Sequence, residues 1–204
     1  MNWLKDLYDW VLNWSNSKWG AFALFALAFT EASFFPIPPD VLLIALCLGV
    51  KSRSFYYVAI CSLGSALGAV FGYSIGYFLW WSEAHEFSRF ANFFFNTIPG
   101  FSTEIFFDIK QKYEEWNFWV IFISGFTPIP FKVFTVSAGA FNINFTLFLI
   151  ASLVARSARF LIIGSLIWKF GEPIKSFIDK YFNILAFLFS FLLIGSFFII
   201  KYLL

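Results

Sequence analysis

The octets FFPIPPDV (residues 34–41) and FTPIPFKV (residues 126–133) decide how this chain folds. They differ at three positions, and one difference exchanges Asp40 for Lys132. Each sits inside a long apolar tract. A helix interior loses a backbone donor and meets a steric clash at every proline. Residues 19–50 exceed the roughly 20 residues that one helix needs to span a bilayer. With Pro36, Pro38 and Pro39 near its middle, that tract cannot be one helix. It reads as two half-helices around a break, a re-entrant hairpin that dips into a membrane and returns. Residues 117–141 repeat the pattern around Pro128 and Pro130. A break at membrane depth is tolerated only where protein or a water-filled cavity covers it.

The composition agrees with a lipid environment. The chain of 204 residues is 60% hydrophobic and 13% charged, with a net charge of +2. A soluble domain carries roughly 25% charged residues. Basic runs that would hold nucleic acid are absent, so no nucleic-acid partner is expected. The 33 phenylalanines read as ordinary lipid-facing residues. Cys47 and Cys61 lie in apolar tracts without metal-ligand spacing, so neither a disulfide nor a metal site is expected. His85, the one histidine, sits in a polar connection and reads as a solvated surface group. No catalytic triad, zinc motif or phosphate loop can be assembled. The chain therefore reads as a non-enzyme with no cofactor.

Outward from the octets, the chain reads as a single all-α membrane domain over residues 1–204. Residues 1–18 pattern as a Trp-rich interfacial helix, with Trp3, Leu7, Val11 and Trp14 on one face. Residues 19–81 form a first repeat, a broken hairpin followed by a span. In that span Gly64, Gly68, Gly72 and Gly76 form a small-residue stripe. Such a stripe lets a helix backbone approach closely, within the chain or across a homodimer. Residues 82–116 form an interfacial connection of amphipathic helices broken at Pro99–Gly100, with Ser102 a candidate cap for the second. Residues 117–170 form the second repeat. Residues 181–204 form a last transmembrane helix.

The duplication extends beyond the octets. Pro36-Ile37-Pro38 and Val41 align with Pro128-Ile129-Pro130 and Val133. Farther on, Phe55, Ile60, Ser62 and Leu63 align with Phe145, Ile150, Ser152 and Leu153. A hairpin enters and leaves on one face, and the span after it crosses. The second hairpin therefore enters from the opposite face, and the repeats are inverted. Secondary transporters place their sites at broken helices between such repeats. Lys5, Lys18, Lys51, Arg53, Lys169, Lys175 and Lys180 fall on one side. That side is expected to be cytoplasmic, with the N-terminus inside and the C-terminus outside.

Five ionisable groups fall within the apolar tracts: Glu31, Asp40, Lys132, Arg156 and Arg159. Each costs about 2.5–3.5 kcal/mol at a helix centre, so by default such groups face a cavity and mark function. Arg156 and Arg159 share a helix face, and an arginine fork suits a phosphate. Lys132 can add a third cation. Carboxylates removed from water exchange protons nearer neutral pH than carboxylates in water. Glu31 and Asp40 are thus candidates for proton coupling, competing with an anion for the same cations. Asp40 and Lys132 are expected near one site, as a pair or as rivals. The other reading of all five is a set of structural ion pairs.

The stretches EASFFPIPPDVLLIALCLG and GFTPIPFKVFTVSAGAF resemble the DedA family, also called the VTT or SNARE-associated Golgi domain, and most of all its YqaA-like branch. The resemblance covers about residues 20–170. Its most specific motif joins a phenylalanine and proline to a basic residue and to Ala-Gly, here from Pro128 to Gly139. It implies re-entrant hairpins in inverted repeats. It also implies transport of lipids, such as phospholipids or polyprenyl phosphates, linked to the proton motive force in bacteria. The implied location is the bacterial inner membrane. The family's acidic pair would fall on Glu31 and Asp40, closer together than in typical members. Its arginine pair in the second hairpin falls on Gly125 and, one residue late, Lys132. The basic pair of the YqaA-like branch fits Arg156 and Arg159. The expected function is a flippase or scramblase for a phosphate-headed lipid. The alternatives are a coupled carrier of a small anion and a non-transporting scaffold.

Overall fold

A computed structural model of the chain describes residues 19–34, 38–82, 86–97, 102–116, 118–127, 130–171 and 173. The expected helices at 1–18 and 181–204 lie outside them, as do Pro36, Pro128 and His85. Among the described residues every regular element is helical, apart from one isolated bridge between Trp81 and Phe87. The helices are α1 (Gly20–Ser33), α2 (Asp40–Gly49), α3 (Ser54–Trp80), α4 (Arg89–Thr97), α5 (Thr103–Trp116), α6 (Phe118–Phe126), α7 (Phe131–Ala140) and α8 (Phe145–Phe170). A 3₁₀ turn, Lys51–Arg53, joins α2 to α3.

The prolines set the breaks. Pro39 and Pro130 are the residues before α2 and α7. Proline suits the start of a helix, where its missing N–H has no partner to lose. At 14 and 10 residues, α1 and α2 are too short to span a bilayer. α3 with its leading turn and α8 are long and apolar enough to cross a membrane, at mean hydropathies of 1.7 and 1.8. Only 44% and 39% of their most apolar windows are buried. The rest faces outward with residues such as Leu63, Leu67 and Phe71 on α3 and Ile150, Leu153 and Leu161 on α8.

Glycines set the packing of α3. A Cβ on Gly64 would meet Phe25 O at 2.6 Å, and one on Gly68 would meet the Phe29 backbone. Gly72 lies against Ala32 and Thr135, and Gly76 against Val136 and Ala140. Residue numbers rise together along these contacts, so α1 and then α7 run parallel to α3. The stripe is therefore spent on packing within the chain. Gly139 of α7 lies in return against Tyr73 and Tyr77.

α8 runs antiparallel to α3. The Phe148 ring lies 5.1 Å from that of Tyr73, and the Trp168 ring 5.7 Å from that of Phe55. α2 runs back towards the start of α3, where Cys47 Sγ lies 3.9 Å from Ser54 O. α1 and α2 thus point in opposite directions along α3. In the second half, α6 ends against the middle of α8, with Gly125 beside Ala155 and Arg156. α7 then returns to the start of α8 through Asn142, a non-glycine residue with φ of 53°.

Two apolar clusters result. One gathers Leu24, Leu43, Leu46, Cys61 and Phe160 from α1, α2, α3 and α8. The other gathers Ala69, Phe106, Ile121, Phe131 and Phe148 from α3 and α5 to α8. The connection feeds the second cluster. Ser102 Oγ accepts from Ile105 N at 3.3 Å at the start of α5. The Trp80 and Phe106 rings stack at 5.8 Å. Trp81 Nε1 donates to Ala140 O at 2.8 Å, and Tyr113 Oη to Phe134 O at 3.0 Å, clamping α7. Burial pushes the Tyr113 phenol above its usual range, so it stays protonated as the donor.

Candidate functional site

Four of the five charges from the apolar tracts come together. Arg156, three per cent exposed, sits near the middle of α8. Its Nη2 donates to Glu31 Oε2 from α1, and its Nε donates to Ser65 Oγ of α3 at 2.8 Å. Its guanidinium lies 5.2 Å from the Phe131 ring and 4.9 Å from the Phe160 ring. One of those rings belongs to each apolar cluster, so Arg156 closes the seam between them. A guanidinium away from water keeps its charge through paired carboxylate, hydroxyl and ring faces.

One turn on, Arg159 grips Asp40 with both arms of its fork. Nε donates to Oδ1 and Nη2 to Oδ2, each at 3.0 Å. The third nitrogen, Nη1, reaches Phe126 O at 3.3 Å, at the end of α6. Arg159 therefore ties together both breaks, the start of α2 and the end of α6. Its side chain is 17% exposed and that of Asp40 15%, against 4% for Arg156 and 12% for Glu31. Asp40 also lies in the first turn of α2, where a negative charge meets the positive end of the helix dipole.

Lys132 is placed differently. Its Nζ lies 3.5 Å from Phe34 O, the carbonyl just past α1. As a cation in the first turn of α7 it faces the unfavourable end of its own helix. It offsets this at the carbonyl end of another. Asp40 takes Arg159, not Lys132, as its ion-pair partner. Thr135, three residues on in α7, donates to Ala32 O at 2.9 Å and fixes the end of α1 against the start of α7.

Three parts of the site carry no signal in the sequence. Ser65 is one of many serines. Phe131 and Phe160 fall among residues expected to face lipid, yet both are fully buried. That expectation is corrected for them and for Phe106 and Phe148: the first two present their faces to the buried guanidinium, and the others pack on Trp80 and Tyr73. Cys47 and Cys61 are buried free thiols. A groove of about 430 Å³ lies along Ile105, Ile109 and Lys112 of α5, away from the ion pairs.

Helices that cross on glycine and halves joined by arginine–carboxylate pairs define an all-helical protein with two helices able to cross a membrane. Comparison with known proteins carries this a step further. An uncharacterized protein of Haemophilus influenzae is 31% identical over 204 residues, covering 96% of both chains. An uncharacterized HI0703 homolog from Histophilus somni is 30% identical over 186 residues, covering 85% of this chain and 87% of its own. The chain belongs to the family of these two bacterial proteins. A third uncharacterized relative, from Methanocaldococcus jannaschii, is 25% identical over 142 residues, covering 69% of this chain and 79% of its own. No family profile and no solved structure matches the chain.

Proposed function

We propose that this chain is a multi-pass carrier of the bacterial cytoplasmic membrane that moves a phosphate-headed lipid between leaflets, with the resemblance to the DedA family extending to its activity. In this reading α1–α2 and α6–α7 are re-entrant hairpins of two inverted repeats, and their breaks face one another inside the bilayer. The antiparallel course of α3 and α8 supports that symmetry. So does the reversal of direction between α1 and α2.

One observation carries the reading. The Arg159–Asp40 pair joins the start of α2 to the end of α6 and is partly open, and Phe34 and Phe126, the residues at the ends of α1 and α6, expose their rings. An anionic headgroup arriving along that apolar surface meets an arginine fork already held by a carboxylate. Headgroup and carboxylate compete for it. Lys132 supplies a further cation beside the first break.

The test is a liposome assay with labelled phospholipid and labelled polyprenyl phosphate, with and without a pH gradient. Transport of either is expected, and Arg159→Gln and Lys132→Gln should slow it while folded yield holds. Absence of movement by wild-type protein for both lipids rejects the reading. A scaffold is the second reading, favoured by the near-complete enclosure of Arg156. It gains if small-anion and lipid flux are both absent while the ion pairs prove essential for folding.

A further inference from the structure

The two long helices share one end, where α3 begins and α8 finishes. Lys51 and Arg53 lie on the exposed 3₁₀ turn before α3, and Lys169 lies exposed in the last turn of α8. The Lys51 side chain lies over Gly171, where a Cβ would collide with it, so turn and helix end form one surface. Exposed rings surround the three cations: Phe55, Tyr56, Trp168 and Phe170. Lys169 Nζ lies 5.4 Å from the Phe170 ring.

The described charges of this end are all cationic, and Glu172, which follows Gly171 in the sequence, leaves the balance positive. Glu31 and Asp40 are held in their ion pairs. The other described carboxylates lie in the 86–116 connection, which follows the far end of α3. Three cations above a ring of aromatic side chains match a phosphate with glycerol and acyl chains beneath it. The arginine fork and the ammonium groups take the phosphate, and the rings take the interfacial layer below.

We infer that this end of the molecule is a binding surface for an anionic phospholipid headgroup, separate from the paired charges at the breaks. It holds the lipid in place at the membrane boundary and joins the start of α3 to the end of α8 through it. Each cation near an anionic lipid surface contributes about 1 kcal/mol, or roughly fivefold in affinity.

The experiment is a thermal unfolding titration of the full chain in neutral detergent. The probes are dioleoylphosphatidylglycerol, dioleoylphosphatidylcholine and soluble glycerol phosphate. Phosphatidylglycerol is expected to raise the unfolding midpoint, and the other two are not. Arg53→Gln with Lys169→Gln should raise the lipid fraction needed for half the effect by about twentyfive-fold, fivefold for each charge. Adding Lys51→Gln should abolish the effect. The double variant leaves the Lys51–Gly171 packing in place, so it tests the surface even if the triple variant fails to fold. Lys110→Gln with Lys112→Gln, at the other end, should respond as wild type. An equal response to phosphatidylcholine or to glycerol phosphate overturns the inference. So does an unchanged response in the Arg53/Lys169 variant, or an equal loss in the Lys110/Lys112 variant. Transport is not read out, so the result is independent of the proposed carrier activity.

Discussion

α3 and α8 are matched in hydropathy and length, but they hold their neighbours by opposite means. α3 grips α1 and α7 with an absence of side chain. Gly64, Gly68, Gly72 and Gly76 let two backbones close on it. α8 grips α1, α2 and α6 with the two longest polar side chains in its sequence, Arg156 and Arg159. A glycine seam is non-ionic and has one close-packed arrangement. An arginine fork can exchange one acceptor for another. The α3 seam is thus the frame of the molecule, and the α8 contacts are where its buried charges are paired.

Breaking the charged side at its buried member should have the largest effect. Arg156→Met strands Glu31, and loss of one partner of a buried pair costs about 3–5 kcal/mol. Unfolding midpoints in detergent should fall accordingly, and the double change Glu31→Gln/Arg156→Met should recover most of the loss. A single variant as stable as wild type would mean that Arg156 does not hold the seam.

Breaking the frame comes next. Gly68→Ala drives a methyl into the Phe29 backbone and should cost about 1–3 kcal/mol, beyond the gain in helix propensity. Its neighbour Leu67 faces outward, and Leu67→Ala should leave folded yield nearly unchanged. Equal losses at the two positions would remove the distinction between seam and outer face.

Smaller again is Arg159→Gln. The pair is partly open, so stability should fall by about 1 kcal/mol, well short of Arg156→Met. Measured together in the liposome assay, the same variant should lose more transport than stability. The smallest effect on stability belongs to Lys132→Gln, which gives up one long contact to Phe34 O and should cost under about 1 kcal/mol. A loss as large as that of Arg156→Met would place Lys132 in the frame.

Much of this arrangement was legible in the residues. The prolines marked both breaks, because proline acts on its own turn. The glycine stripe announced a close crossing, and the long apolar runs closing each repeat announced α3 and α8. The five charges stood out because apolar tracts rarely carry any. The aromatic faces around Arg156 were not legible, since a phenylalanine in an apolar tract looks the same whether it meets lipid or a guanidinium. The partner of the glycine stripe was not legible either, because a small residue admits any backbone.

The sequence by itself determined where helices start, where they break and which residues are out of place in oil. Those are short-range matters of proline, glycine and periodicity. Tertiary structure alone decided the partners. Glu31 and Arg156 lie 125 positions apart, and Asp40 and Arg159 lie 119 apart. Nothing local selects Arg159 over Lys132 for Asp40. The choice follows from packing: the glycines fix α1 and α7 on α3, α8 lies antiparallel beside them, and one turn of α8 then presents two forks to two carboxylates.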